Sequence, residues 1–331
     1  MAEENDIKRE SERLHSKLGR LGWSNEACHT LASLTLRINQ LKKERNAVIL
    51  AHSYQQPDII FGVADFTGDS YGLSREAMGT SASTIVFSGV RFMAETAKIL
   101  NPKKRVFLPS NDAGCSLADG ISADDVRALK AQYPGVPVVC YVNTSAKVKA
   151  ESDICCTSAN AEKVVSSLPQ ERVIFVPDSH MAKNIAVKTK KKLIPWTAQC
   201  VVHADVDFDR VDAIRKRFPG IKVLSHSECP PKVASASDLV GGTSDMEKYV
   251  SEKGDGPYML LTECGLAGRL QAKFPKKEFV GSCAICPYMK KNSLVSILRV
   301  LEKLPDENEV RIPEDIAIRA RRSLDAMLKI S

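Results

Sequence analysis

The stretch VILAHSY, residues 48–54, closes an apolar, β-branched run with two polar residues, His52 and Tyr54, set two apart. Side chains alternate along a strand, so residues at i and i+2 at its end point the same way. The same design recurs in VVCYVNT (138–144), with Tyr141 and Asn143, and in KVLSHSE (222–228), with His226 and Glu228. Each copy is followed by a segment led by an aspartate: ADFTGDS (64–70), SDICCTS (152–158) and SDLVGGTS (237–244). The fifth residue after Asp65, Asp153 and Asp238 is Ser70, Ser158 and Thr243, a hydroxyl each time. Then come an apolar run (TIVFSG, RVIFVPD, YMLLTEC), a helical pattern (MAETAKIL, HMAKNIAV, GLAGRLQAKF) and a last strand-like segment (RVFLPSNDAGC, KLIPWTAQC, KEFVGSCAIC). The three units close on Cys115, Cys200 and Cys286, separated by 85 and 86 residues.

Short β-branched runs alternating with helical patterns are the signature of parallel α/β units. A period of this length lies outside the usual solenoids, so the expected fold class is α/β: three small homologous α/β domains with short parallel sheets, not a stacked array. The expected boundaries are an N-terminal arm at 1–23, repeat 1 at 24–128, repeat 2 at 129–212 and repeat 3 at 213–304, with a closing helix at 305–331 packing back on repeat 1. Leu31, Leu34, Ile38 and Leu41 share one face of a helix ahead of the first strand. Asn292 stands where an N-cap is expected, and Pro313 where a helix starts. Ser70, Ser158 and Thr243 each open a helical pattern, as N-caps do, and helix N-termini also hold carboxylates and phosphates.

At 331 residues with 44% apolar content the chain is too large for one core, which agrees with several domains. No window holds eighteen consecutive apolar residues, so no membrane partner is expected. The start, MAEENDIKRESERLHSKLGR, lacks an apolar stretch and is acidic, unlike a signal or transit peptide. Ten cysteines without an export signal read as reduced thiols, ligands or nucleophiles in a cytoplasmic protein. A net charge of +7 suits anionic partners, but the basic clusters lack interleaved aromatics, so no nucleic-acid partner is expected.

In open parallel sheets ligands gather outside the carboxyl ends of the strands. Three units facing one axis therefore bring three strand-end pairs, three hydroxyls and three cysteines to one cavity. Three thiolates with one vacant position suit a 4Fe-4S cluster with an open iron, or a zinc ion with a water. An open position is what a Lewis acid needs. Cys140, Cys155, Cys156, Cys229 and Cys264 sit in or at the ends of apolar runs and read as core. Cys283 and Cys286 form a CxxC, which by itself also fits half a zinc ribbon or a redox dithiol, although no second CxxC exists. His52 and His226 occupy matching positions and His203 follows Cys200 at i+3, whereas His15, His29 and His180 have no such support.

The segments AHSYQQPDI, GDS, FSGVRFMAETAKILNP, AGCSLAD, YVNTSAKVKAESDICCTSANA, CVVH, HSECPP, GGTS and CPYMKKNSL, in this order from about residue 40 to 328, resemble the quinolinate synthase family. The resemblance implies three homologous three-layer αβα domains in pseudo-threefold symmetry around a central 4Fe-4S cluster on Cys115, Cys200 and Cys286, with one iron open. It implies a transferase-class enzyme of NAD biosynthesis that condenses iminoaspartate with dihydroxyacetone phosphate to quinolinate, with an L-aspartate oxidase or dehydrogenase as the source of the imine. His52, Tyr54, Tyr141, His203 and Glu228 match residues linked to catalysis. His52, Ser70, Tyr141, Asn143, Ser158, His226, Glu228 and Thr243 match residues linked to substrate binding. Ser53 and Ser227 depart from the usual residues of their motifs, and PDSHMAKN departs further, which leaves His180 without an assigned role.

Overall fold

In the computed structural model of the chain, residues 2–254, 256–281 and 284–330 are described. The first repeat contributes β1 (Ala47–His52), β2 (Phe66–Gly68), β3 (Thr84–Ser88) and β4 (Arg105–Phe107); the second β5 (Val138–Tyr141), β6 (Ile154–Cys156), β7 (Arg172–Val176) and β8 (Lys192–Pro195); the third β9 (Lys222–His226), β10 (Leu239–Gly241) and β11 (Tyr258–Leu261). The strand orders are β2-β1-β3-β4, β6-β5-β7-β8 and β10-β9-β11, and every pairing is parallel. This is the expected α/β fold with three short parallel sheets. The first strand of each unit is central and almost wholly buried, which is why it reads as a continuous apolar run.

The third unit is one strand short. The segment expected as its last strand makes two isolated parallel bridges among the described residues, Tyr258 with Phe279 and Glu263 with Ala284. The core is shared between units: one apolar cluster includes Leu50 and Ile85, Val139 and Ile174, and Leu224 and Leu260.

The aspartates that lead the second strands have a structural task. Asp65, Asp153 and Asp238 accept the backbone N–H of Ile49, Val138 and Val223 at 2.8, 2.8 and 2.9 Å. Their own N–H groups return bonds to the carbonyls of the same residues. The helix ahead of each sheet then supplies a cation, Lys42, Lys130 or Arg215. One carboxylate thus fixes the register of β2, β6 or β10 on its neighbour and ties the preceding helix to both.

The N-terminal residues form a helix, Ala2–Leu18, whose Leu14 and Leu18 pack with Cys28 and Ala32 of Asn25–Glu44. Ile38 and Leu41 of that second helix are buried beside Ile297, Val300 and Leu301 of Leu294–Lys303. The latter helix is capped by Ser293, one residue beyond the expected Asn292, whose amide instead donates to Gly89 O. The closing helix, Glu314–Ile330, begins directly after Pro313. Its expected packing on repeat 1 needs correction. It lies chiefly across Ala146–Glu151 and β6 of repeat 2, because Arg319 pairs with Glu151 and Ser323 both donates to Lys149 O and accepts from Cys155 Sγ. It also packs on Arg91–Leu100 of repeat 1, where Arg321 donates to Leu100 O.

Asp238→Ala removes a charged acceptor that serves three donors, so it should destabilise by about 2 kcal/mol, measured as a thermal midpoint lower by a few degrees at pH 7. Burial opposes the ionised form of Asp238, but the Val223 N–H, Lys222 and Arg215 outweigh it and hold its pKa below the ordinary 3.8. The stabilisation is therefore present above that value and lost as pH falls through the lower folded-state value, so the two chains should converge in acid.

Candidate active site

All thirteen residues singled out from the sequence line one cavity of about 70 Å³. It opens at the carboxyl ends of β1, β5 and β9, where alternation turns His52 and Tyr54, Tyr141 and Asn143, and His226 and Glu228 inward. His15, His29 and His180 do not line it.

The cysteines reach the cavity through a device used three times. Each sits two residues after an alanine, in AGC, AQC and AIC, and that alanine's carbonyl accepts an N–H from the start of the preceding helix. Arg91 N bonds Ala113 O at 2.8 Å, Ser179 N bonds Ala198 O at 2.9 Å and Cys264 N bonds Ala284 O at 3.0 Å. Cys115, Cys200 and Cys286 are partly exposed, while Cys140, Cys155, Cys156 and Cys229 are buried; none of these seven is in a disulfide. Burial pushes the Cys115 thiol up to about 12 and raises Cys200 and Cys286 as well. Three desolvated thiols from three repeats, unbonded to one another and facing one space, fit a metal centre, since a cation supplies the charge that thiolates lack here. Cys283 lies outside the described residues.

Beside the thiols runs a chain of short hydrogen bonds. Glu228 is 2% exposed, yet neighbouring His226 and His203 and the bonds from His203 and Tyr141 outweigh burial and hold its pKa well below the usual carboxylate range. As a carboxylate it only accepts: from Tyr141 Oη at 2.6 Å and from His203 Nδ1 at 2.8 Å. His203 Nε2 faces Thr262 Oγ1 at 2.9 Å, and Thr262 Oγ1 in turn lies 2.6 Å from Tyr54 Oη. Burial raises both tyrosines above their ordinary range, so the phenols keep their protons. Thr262 is the functional residue that the repeat does not flag. Counted from the pairing register, its counterparts are Gly89 and Pro177, so the hydroxyl occurs in one copy only.

Both strand-end histidines are shifted toward the neutral form. Burial lowers His52 to about 3, helped by the Arg269 charge, and lowers His226 to about 4. Their Nδ1 atoms accept the N–H of Tyr54 and Glu228 at 3.2 and 3.3 Å, which leaves the proton on Nε2.

The hydroxyls stand at helix starts but are not the N-caps that the pattern suggests. Asp69 caps Ser70–Gly79 and Gly242 caps Thr243–Glu252, so Ser70 and Thr243 are first-turn residues. Ser158 stands in a turn two residues before Asn160, the N-cap of Ala161–Ser167. Freed from capping, Thr243 Oγ1 is buried without a hydrogen-bond partner, as is Asn143 Oδ1. Such orphans are costly unless a ligand satisfies them. The helix starts interlock: Ser244 Oγ donates to Asp69 Oδ2 at 2.6 Å, and a Cβ on Gly242 would lie 2.6 Å from Ser158 Oγ.

Residues 36–329 match the family model described as quinolinate synthetase A protein. The chain belongs to this family. It is 47% identical over 293 residues to the quinolinate synthase of Xylella fastidiosa (strain 9a5c), covering 88% of this chain and 86% of that one. To the quinolinate synthase of Agrobacterium fabrum it is 49% identical, covering 88% and 84% of the two chains, and to quinolinate synthase 2 of Mesorhizobium japonicum 49%, covering 88% and 90%. Membership of the quinolinate synthetase A family agrees with the motif resemblance, and the match begins inside Asn25–Glu44, beyond the N-terminal helix.

Thr243→Val replaces an orphaned hydroxyl by a methyl group of similar shape. It should leave the ligand-free chain as stable as the parent or stabilise it by about 1 kcal/mol, seen in thermal midpoints, while raising KM severalfold for any ligand that this hydroxyl serves.

Proposed function

We propose that this chain is a quinolinate synthase that condenses iminoaspartate with dihydroxyacetone phosphate, releasing phosphate and two waters. The observation that carries the reading is the convergence on one cavity of three repeat-matched thiols and a hydrogen-bonded chain from Tyr54 to Tyr141. Cys115, Cys200 and Cys286 would hold the 4Fe-4S cluster. When bound, a cluster with one iron free of protein thiolate supplies a Lewis acid.

The substrates carry carboxylates and a phosphate. The helix starts at Ser70 and Thr243, with the Ser158 hydroxyl and the Asn143 amide, offer the donors and acceptors to orient them. The Nε2–H groups of His52 and His226 donate to substrate oxygens. A dehydration removes a proton from one atom and a hydroxide from its neighbour. The Tyr54–Thr262–His203 chain takes up the proton, Glu228 stabilises the imidazolium, and the same chain returns the proton to the departing hydroxyl as water leaves. Tyr141, held on the other oxygen of Glu228, keeps that carboxylate oriented and carries a second phenolic proton to the cavity. The reading includes a cytoplasmic location and an L-aspartate oxidase or dehydrogenase as the source of the imine; among the described residues no helix is long and apolar enough to cross a membrane.

Anaerobic reconstitution should give about four irons and four sulfides per chain, with quinolinate formed from the two substrates. Cys115→Ala, Cys200→Ala and Cys286→Ala should each lose both cluster and product, and retention of both in any one of them would sink the reading. The opposite result, one zinc without sulfide, would favour a zinc lyase, for which Cys200, His203 and Glu228 offer ligand atoms within 4.8 Å of one another.

Thr262→Val interrupts the chain without touching the thiols. It should lower kcat by about a hundredfold at unchanged iron content, while Thr262→Ser retains most of the rate.

A further inference from the structure

The loop bearing the third cysteine belongs to repeat 3 in sequence but is bolted to repeat 1. Gln55 Nε2 donates to Met289 O at 3.0 Å, Gln56 Nε2 to Asn292 O at 3.3 Å, and Asn292 Nδ2 to Gly89 O at 2.7 Å. The centre of this joint is an ion pair. Glu263 is fully buried, and Lys290 Nζ lies 2.8 Å from its Oε1. The same oxygen faces the backbone N–H of Cys286 at 3.4 Å, while Oε2 accepts from Gly265 N at 2.6 Å. Lys290 Nζ also donates to the carbonyl of Tyr54. Gly265 is required by the same crowding, since a Cβ there would lie 3.1 Å from the Tyr54 Cα and carbonyl oxygen.

We propose that Glu263 and Lys290 are positioning residues that set Tyr54 against Cys286, the one from the first repeat and the other from the third. A carboxylate that faces the cysteine's N–H and a cation that holds the tyrosine's carbonyl meet in one pair, so neither group can shift without the other. The pair is peculiar to this corner of the site. By register, the counterparts of Glu263 are Val90 and Asp178; Val90 carries no charge, and among the described residues Asp178 is in no ion pair. The second and third cysteines therefore sit on different supports. The third is tied to Tyr54 through the Glu263–Lys290 pair, whereas Cys200 Sγ meets His203 Nδ1 directly at 3.2 Å.

The test uses the reconstituted chain with Lys290→Met, Glu263→Gln, Lys290→Arg and the double change Lys290→Met/Glu263→Gln. Hydrogen exchange should quicken roughly tenfold in residues 53–56 and 284–290 together in the single neutralising variants, and not in residues 138–141. Iron and sulfide contents should match the parent. The electron paramagnetic resonance signal of the reduced cluster should shift, and kcat should fall by on the order of a hundredfold with KM little changed, the scale of a displacement of about 1 Å. Lys290→Arg, which keeps a cation in place, should recover most of the exchange protection and the signal. If a single variant does not fold, the double variant, which leaves no uncompensated buried charge, decides the question by the same readouts. Quickening confined to 284–290, or a parental signal and kcat in the neutralised variants, overturns the proposal. The kinetic and spectroscopic arms rest on the quinolinate synthase reading; if the parent makes no quinolinate, that reading fails while the exchange arm still decides the coupling.

Discussion

A carboxylate as deeply buried as Glu228 stays charged only where donors replace the water it has lost. His203 and Tyr141 supply them, and both come from repeat 2, whereas Glu228 comes from repeat 3. Keeping this one charge therefore requires two units to be docked in register. The requirement extends to the first unit, because His203 spends its second nitrogen on Thr262, which bonds Tyr54. His226 stacks on His203 at a centroid distance of 4.4 Å and closes the remaining face. A cavity built this way cannot be assembled by any single repeat, which gives a physical reason for the shared apolar core beneath it.

Threefold symmetry supplies the frame, and departures from it supply the chemistry. The aspartates on the second strands and the alanine carbonyls before the cysteines recur in all three units, and both act through the backbone. They place strand ends and cysteine loops alike. What differs is the polar group presented: histidine with tyrosine, tyrosine with asparagine, histidine with glutamate. Three identical sites around an axis would bind a threefold ligand. An asymmetric substrate pair needs different donors at each corner, and alternation along equivalent strands allows that without altering the scaffold.

The same division decides what can be read from the sequence. Features that repeat were legible: the sheets, the cavity position and the three cysteines follow from laying VILAHSY, VVCYVNT and KVLSHSE side by side. Ser70, Ser158 and Thr243 were found by register, but their capping role was misread, because an aspartate or glycine one residue earlier competes for the N-cap position in two copies. Thr262 and Glu263 were invisible to this comparison, since their counterparts are Gly89 and Pro177, and Val90 and Asp178. The closing helix was expected on repeat 1, whereas it lies chiefly on repeat 2 and in part on Arg91–Leu100 of repeat 1. Its choice rests on Arg319 and Ser323, whose partners Glu151 and Lys149 lie some 170 residues earlier.

The long spacing of the cysteines has an energetic consequence. Ligands close in sequence, as in a zinc ribbon, bind metal as one small unit whose folding the metal drives. Here each thiol sits on a strand-end loop already fixed by a backbone bond from its own unit, and burial keeps it protonated until a cation arrives. A metal held by all three thiols would therefore act on the contacts between units, where Ser244 meets Asp69 and Lys290 meets Tyr54. The hydrogen-bonded chain from Tyr54 to Tyr141 crosses the same unit boundaries, so the thiols and the chain depend on one set of contacts between units.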